Sequence, residues 1–190
     1  MSGIISRSLW LSAFLVAGCS NPIQDYRGKT PGLNLGEFFN GELVAHGIVQ
    51  NYRGKVIRQF NAEISAAWEG ENGLLDEKFF FDDGEQQNRC WRLKKTGNQY
   101  TGTAQDIVGI AKGVTGGNAL NWRYTLEVPL KGKVRHIKFD DWLYLVDKDN
   151  LINRAKMRKF GFNVGEITLH IRKISNEPKH PFTTGCTIQL

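Results

Sequence analysis

The chain has 190 residues, which is one domain's worth, and its 25 Lys and Arg side chains outnumber 19 Asp and Glu side chains to give a formal net charge of +6. It contains no P-loop, no Gly-x-Gly-x-x-Gly fingerprint and no Gly-x-Ser-x-Gly elbow, which argues against the common nucleotide-binding and serine-hydrolase classes. The basic balance is most simply explained by a solvated surface with a mild charge excess. If the charge does meet an anionic partner, a phospholipid surface is favoured over nucleic acid, because the chain begins like a secreted protein.

Residues 1–18 have the pattern of a secretory signal peptide. Arg7 is their only charge, and the almost wholly apolar run that follows it is too short for a transmembrane helix. The run ends in Val16-Ala17-Gly18-Cys19, which resembles the lipobox of bacterial lipoproteins. We therefore expect cleavage before Cys19, acylation of that cysteine and attachment to a membrane. Ser20, in place of an aspartate, indicates the cell envelope and the periplasmic face of the outer membrane.

Residues 19–35 contain prolines and glycines and show no hydrophobic periodicity, so they are interpreted as a flexible tether between the lipid and the domain. The segment 35–41 that follows predicts one short helical turn that plugs an end of the domain.

From residue 36 to residue 174 the sequence alternates between apolar and polar side chains with a period of two. In the clearest run, Leu120, Trp122 and Tyr124 fall on one face of a strand and Asn121 and Arg123 on the other. Turn signals separate such runs, which predicts an all-β antiparallel meander closed into a barrel of about 8–10 strands. The predicted strands lie near 42–50, 55–67, 73–81, 88–95, 99–105, 106–114, 118–129, 133–146, 150–159 and 164–173. Residues 175–190 are predicted to form an extended C-terminal tail.

A barrel of this size either fills its interior with side chains or holds a small ligand. Small residues on the apolar faces would leave room inside, and these are Ala45, Gly47, Ala62, Ala66, Gly109 and Ala111. The aromatic residues are most simply explained by packing in a filled core, and the functional hypothesis is that they line an apolar pocket. The candidate ligand-binding residues are Trp122, Tyr124, Trp142, Tyr144, Arg123, Arg154 and Asp140.

No catalytic constellation is recognisable. The four histidines, His46, His136, His170 and His180, lack the close spacing of a zinc site, so neither a metal nor another cofactor is expected. Beyond Cys19 the cysteines are Cys90 and Cys186, 96 residues apart in sequence. A disulfide between them is possible in an oxidising compartment, but Cys90 in a strand is interpreted more naturally as a small buried residue.

Several blocks together resemble the DUF3833 family of bacterial lipoproteins. They are Phe38-Phe39-Asn40-Gly41, Phe81-Asp82-Asp83-Gly84-Glu85 with Arg89 and Trp91, Gly117-Asn118-Ala119-Leu120-Asn121-Trp122-Arg123-Tyr124, Phe139-Asp140-Asp141-Trp142-Leu143-Tyr144, Asn153-Arg154-Ala155-Lys156-Met157, and Lys159-Phe160-Gly161 with Val164-Gly165-Glu166. The resemblance implies a lipocalin-like barrel and a lipid-related role, and it implies no particular activity.

The function expected from the sequence is an envelope lipoprotein that binds or carries an apolar or acyl ligand, such as a fatty acid or phospholipid, inside its barrel. The alternatives are an accessory enzyme or factor in membrane-lipid modification and a structural protein with a filled barrel. A cavity favours the first over the third, and two titratable side chains within hydrogen-bonding reach inside it favour the enzyme. The sequence leaves the oligomeric state open.

Overall fold

A computed structural model describes residues 22–130, 132–178 and 186, and in them the chain forms one closed barrel of ten antiparallel strands. The strands are β1 (Gly41–Asn51), β2 (Val56–Glu69), β3 (Asn72–Phe81), β4 (Gln86–Thr96), β5 (Gln99–Thr103), β6 (Ala111–Gly116), β7 (Ala119–Leu130), β8 (Lys133–Leu145), β9 (Asn150–Lys159) and β10 (Phe162–Ser175). Each strand pairs with its neighbours in sequence, and β1 pairs with β10 to close the circle. The predicted all-β meander and its closure are confirmed.

The period-two pattern produces this barrel because alternate side chains point inward and outward. On β7, Ala119, Leu120 and Trp122 are buried, whereas Arg123 between the inward positions is exposed. Closure pairs every strand on both sides, so the sheet has no free edge.

One short helix, α1 (Leu35–Phe38), lies across one end of the barrel, which we call the closed end. The side chain of Asn34 caps it by accepting a hydrogen bond from the Gly36 amide at 3.1 Å. Leu35, Phe38 and the following Phe39 are all buried in the core. The predicted helical turn therefore exists and plugs this end. At the opposite, open end, where β1–β2, β3–β4, β7–β8 and β9–β10 turn, the described residues include no helix.

Residues 22–35 do not form a free tether, and this part of the prediction is wrong. They run along the outside of the closed end, beginning with a 3₁₀ turn at Ile23–Tyr26. The ring of Tyr26 lies 5.5 Å from that of Trp142, and the Leu33 amide donates a hydrogen bond to the Gly117 carbonyl at 2.8 Å. Leu33 is buried. Its isolated apolar side chain in a Pro- and Gly-rich stretch has no periodicity by which the packing could have been predicted.

The predicted strand 106–114 is shorter than expected, because β6 begins only at Ala111. The preceding loop packs against the C-terminal half of β7. There Ile107 forms a β-bridge with Leu126, and the Glu127 amide donates to the Asp106 carbonyl at 2.8 Å. Gly109, expected as a small inward residue, instead lies in this exposed loop with a φ of 72°.

Cys90 on β4 forms a disulfide with Cys186, with their Cα atoms 5.9 Å apart. This overturns the preferred interpretation of Cys90 as an unpaired buried residue. The bond attaches Cys186 of the C-terminal segment to the barrel wall, whereas residues 179–185 and 187–190 lie outside the described chain. The predicted signal peptide and Cys19 also lie outside it. Within the described residues, no helix is both long and apolar enough to span a membrane.

Candidate functional site

The barrel encloses a cavity of about 150 Å³. It begins above the plug residues Leu35 and Phe39 and continues to Phe60 and Phe79, nearer the open end. The small side chains of Ala45 and Ala62 line the cavity and leave room inside the barrel, as the sequence predicts. Most of the lining is aliphatic or aromatic, and it includes Trp91, Trp122, Tyr124, Leu120, Leu169 and Ile171.

Three aromatic side chains form one wall of this cavity. The ring of Trp91 lies edge-on to Trp122 at 5.7 Å and to Tyr124 at 5.6 Å, and Tyr124 stacks on Phe139 at 4.9 Å. Edge-to-face and offset-stacked contacts of this kind are the preferred geometries of aromatic pairs. These contacts hold the wall in one arrangement.

A band of polar side chains crosses the middle of this apolar interior. On one side, the guanidinium of Arg89 donates to both carboxylate oxygens of Asp106, with its Nε and one terminal nitrogen at 2.8–3.1 Å from them. Its other terminal nitrogen lies 3.7 Å from Oε2 of Glu77, on the neighbouring strand. The side chains of Arg89 and Glu77 are only 15% and 14% exposed. Arg89 is therefore shared between two carboxyl groups, and the pair with Asp106 has the stronger geometry.

On the other side of the band, Asp141 accepts two hydrogen bonds. The Tyr124 hydroxyl donates to its Oδ2 at 3.3 Å, and the Asn153 amide donates to its Oδ1. Asn153 also donates to the Trp142 carbonyl at 3.1 Å. Asp141 and Asn153 are both buried.

Burial raises the pKa of both acidic groups that line the cavity. It raises the pKa of Glu77 to about 7, against the lowering effect of Arg89, and that of Asp141 to about 6, against its hydrogen bonds from Asn153 and Tyr124. Burial, and then the charge of Asp141, raises the pKa of Tyr124 well above its usual value. Burial alone would lower the pKa of Arg89, but Asp106 and Glu77 raise it. Near neutral pH, Arg89 is therefore charged, and Glu77 is present in both its protonated and its ionised form.

One polar atom of the band has no hydrogen bond. Oε2 of Glu77 is fully buried and lacks a hydrogen-bond partner within the described structure. Its distance to Arg89 is too long for a hydrogen bond. A buried oxygen that accepts no hydrogen bond, in the wall of an apolar cavity, can accept one from a bound molecule.

Two of the predicted site residues, Trp122 and Tyr124, line the cavity. The expectation that Trp142 and Tyr144 form its walls is wrong, because on β8 the inward residues are Phe139, Asp141 and Leu143. The pairing of β7 with β8 places Trp122 opposite Asp141, and residues that face each other across strands share a face. Asp140 and its alternate neighbours on β8 therefore point outward.

The structure gathers the remaining five predicted residues on the outer wall instead. They lie in one shallow groove across β7, β8 and β9, and they are Arg123, Asp140, Trp142, Tyr144 and Arg154. Arg123 is 3.5 Å from Asp140, and Arg154 pairs with Glu166 of β10 at 2.6 Å. Their predicted role in ligand binding is not tested by this placement.

The polar band itself was not predicted as a site. Its members follow from the alternation once the phase of each strand is known: Glu77 lies between the inward Leu75 and Phe79, and Arg89 is two residues from Trp91. A charged residue at a strand position where the alternation calls for an inward, apolar side chain is the signal that could have identified them. Among the described residues, no group of three His, Cys, Asp or Glu side chains could hold a metal ion.

Fold and cavity together define the class: a closed, lipocalin-like β-barrel with a polar band inside. Residues 13–173 match the model of the family described as "Protein of unknown function (DUF3833)", and the chain belongs to that family. A comparison with curated proteins finds no match. Among solved structures, the barrel is similar to the S-type phycobiliprotein lyase CPES from Guillardia theta, with a TM-score of 0.51 and 9% sequence identity. The similarity covers 75% of this chain and 94% of that one, and at this identity it concerns the fold.

Proposed function

We propose that the barrel binds or carries an apolar molecule that also bears a hydrogen-bond-donating group, such as an amide, hydroxyl or amine. The observation that carries this proposal is Oε2 of Glu77, a buried acceptor without a hydrogen bond in the wall of an apolar cavity. The apolar part of the ligand would contact Trp91, Trp122 and the aliphatic wall, and its donor would complete the polar band. The similar barrel of the solved structure offers a precedent for this fold in a protein named as a phycobiliprotein lyase.

The charges in the band favour a donor over a free carboxylate. Arg89 directs its Nε and one terminal nitrogen to Asp106 and its other terminal nitrogen toward Glu77, so two carboxyl groups already share its charge. A ligand carboxylate would therefore meet Glu77 and Asp141 without an available cation. Above pH 7 we therefore expect a fatty acid, the ligand suggested by the sequence, to bind more weakly than single-chain lipids with a neutral or cationic headgroup.

The cavity size limits how much of the ligand lies in the deepest part. An engineered apolar cavity of about 150 Å³ in another protein holds one benzene molecule, and the cavity here has a similar volume. A longer chain would extend past Phe60 and Phe79 toward the open end. Burial of ten methylene groups would contribute roughly 8 kcal/mol before the cost of association, which brings micromolar binding within reach.

A series of ten-carbon ligands that differ only in the headgroup tests the proposal. At pH 8 we expect decylamine to bind at least about tenfold more tightly than decanoate, with decanamide and decanol between them, because ionised Glu77 accepts from a donor and repels an anion. Since the pKa of Glu77 is about 7, the affinity for decylamine should fall as pH drops from 8 to 5 and Glu77 becomes protonated. The fluorescence of Trp91 and Trp122, which line the cavity, reports binding.

Glu77→Gln should remove the preference for the amine and its pH dependence. Glu63→Gln is the matched control, since Glu63 is exposed on the outer face of β2. Equal affinity for decanoate and decylamine at pH 8 would contradict the proposed headgroup. No saturable binding by any of the four ligands would leave a structural role for the barrel as the better interpretation.

A second candidate function is proton transfer to or from the bound molecule. Tyr124 and Asp141 are two titratable side chains within hydrogen-bonding reach inside the cavity, the arrangement that favours an enzyme. Mass spectrometry of ligand recovered after incubation in deuterated water distinguishes the two functions. A binding protein returns the ligand with no added deuterium at carbon, whereas an acid–base catalyst labels it, and Asp141→Asn abolishes the labelling.

We also propose that the protein works as a lipoprotein of the cell envelope, anchored through Cys19 at the periplasmic face of the outer membrane. The support is the lipobox-like sequence at residues 16–19. Cys19→Ala should release the protein from the membrane fraction and remove the acyl mass, because the remaining signal sequence offers no lipid attachment. Unchanged fractionation together with an unchanged mass would contradict the anchor.

A further inference from the structure

Large apolar side chains are exposed at three neighbouring hairpin tips of the open end. They are Tyr52, Val56 and Ile57 at the β1–β2 tip, Leu130 and Val134 at the β7–β8 tip, and Phe160 and Phe162 at the β9–β10 tip. These six strands follow one another around the barrel in the order β7, β8, β9, β10, β1, β2. We call residues 51–57, 128–130, 132–135 and 158–164 the rim sector.

Phe160 combines high exposure with an unusual backbone conformation. Its side chain is 89% exposed, and it occupies the left-handed backbone region with a φ of 50°. It forms the two-residue turn between β9 and β10 with Gly161, whose φ is 85°. Such turns favour Asn followed by Gly, and a bulky residue there is strained. A strained and exposed aromatic ring at the tip of a hairpin indicates a contact outside the folded chain.

The charges of the rim sector are all of one sign. Its described residues include six Lys and Arg residues and no acidic residue; they are Arg53, Lys55, Lys133, Arg135, Arg158 and Lys159. The remaining long hairpin of the open end, β3–β4, is the opposite, because its turn carries Asp82, Asp83 and Glu85. Arg58 pairs with the last two at 2.6 and 2.5 Å. The open end thus has an apolar, cationic side and an acidic side.

From this asymmetry we propose that the rim sector docks onto the surface of an anionic phospholipid bilayer. Exposed aromatic and aliphatic side chains enter the boundary between headgroups and acyl chains, while neighbouring Lys and Arg side chains pair with the phosphates. The absence of any acidic residue from the sector removes the repulsion that would oppose this contact. The inference does not depend on what the cavity binds, but it would set the open end of the barrel against a source of apolar ligands.

The rim sector is remote from the start of the described chain. The turn Ile23–Tyr26 packs beside Gly116 and Gly117, at the closed end, where β6 ends and β7 begins. Anchoring through Cys19, four residues before Ile23, would therefore act at the other end of the barrel. The two membrane contacts can be separated experimentally.

The test is co-sedimentation of the full chain carrying Cys19→Ala with vesicles of phosphatidylglycerol and phosphatidylcholine in equal parts, compared with vesicles of phosphatidylcholine alone. We expect binding to the anionic vesicles and at least about tenfold weaker binding to the neutral ones. Lys133→Glu changes the charge by two units and should weaken anionic binding by about 25-fold, at about fivefold per unit of charge. Phe160→Asn combined with Phe162→Ser should weaken it by about tenfold. All variants share the same first 21 residues, so the differences report on the rim sector.

Closed-end residues provide matched controls. Val146 and Ile174 are 56% and 53% exposed, and Lys148 is exposed as well. Val146→Ser with Ile174→Ser, and Lys148→Glu, should leave vesicle binding unchanged. Phe160→Asn by itself should weaken vesicle binding while raising the Tm by about 2–4 °C, because asparagine tolerates the left-handed conformation, so the loss of binding in this single variant cannot come from unfolding.

Three results would overturn the proposal. The first is equal binding to anionic and neutral vesicles, and the second is an equal loss of binding in the rim and closed-end variants. The third is a dimer in sedimentation equilibrium that the Phe160 and Phe162 substitutions dissociate, which would assign the rim sector to a second copy of the chain.

Discussion

Arg89→Leu is expected to destabilise the barrel by about 3 to 5 kcal/mol, which would be the largest effect of any single substitution proposed here. Arg89 is the one cation of the polar band and holds Asp106 by a two-pronged hydrogen bond. Without it, Asp106 and Glu77 share a poorly solvated region with no opposite charge. Leucine preserves the apolar stem of the side chain but cannot supply the donors. Urea unfolding at pH 7, followed by far-UV circular dichroism, measures the loss.

Arg92→Leu is the control, because Arg92 lies on the same strand and points to solvent. It should change the free energy of unfolding by less than about 0.5 kcal/mol. Adding Glu77→Gln and Asp106→Asn to Arg89→Leu should restore part of the lost stability, since the uncompensated charges are then gone. Equal effects of the Arg89 and Arg92 substitutions would show that the band contributes little to stability.

The contribution of Glu77 to the stability of the barrel should decrease as the pH rises. Glu77 is protonated more readily in the folded state, with a pKa of about 7 against its usual value near 4.5. Between these two pH values the folded state holds a proton that the unfolded state has released, so the contribution of Glu77 to stability falls as pH rises and is constant above pH 7. Loss of Arg89 removes the main influence that lowers this pKa, so the fall should extend to higher pH and become larger in total.

Loss of the Cys90–Cys186 disulfide should lower the free energy of unfolding by about 2 to 4 kcal/mol. The bond closes a loop with a sequence separation of 96 residues, and long loops restrict the unfolded chain most. Thermal unfolding of the Cys90→Ser, Cys186→Ser double variant measures the effect. Reduction of the unsubstituted protein with dithiothreitol should give the same shift of Tm, and the double variant should not respond to it. A Tm that is unaffected by either treatment would show that the C-terminal connection adds no stability.

The architecture of the barrel was accessible from sequence because it depends on local patterns. Period-two alternation defined the strands, and the turn residues between them gave short antiparallel connections, for which closure is a natural way to remove both edges. The plug at α1 was likewise predictable from a short apolar cluster before Gly41. The loop before β6 was not, because Ile107 continues an apparent alternation yet bridges to Leu126 of β7.

The interior site depends on information that no single strand contains. Leu143 and Trp142 are both apolar, so the sequence of β8 is compatible with either phase, and the choice between them decides whether Asp140 or Asp141 enters the barrel. Pairing with β7 makes that choice, since Trp122 and Asp141 lie opposite each other. The same holds for Glu77 and Arg89, which are 12 positions apart but lie opposite each other across β3 and β4.

By itself, then, the sequence determined the fold class, the number of strands to within two, the helical plug and the resemblance to the DUF3833 family. These properties depend on short-range features of the sequence, namely the spacing of apolar side chains and of turn residues. Only the tertiary structure decided that Asp141 rather than Asp140 enters the barrel, that Cys90 meets Cys186, and that the cationic hairpin tips gather on one side of the open end. Each of these depends on the register between strands distant in sequence, and a shift of one residue in that register would turn every side chain of a strand to the opposite face.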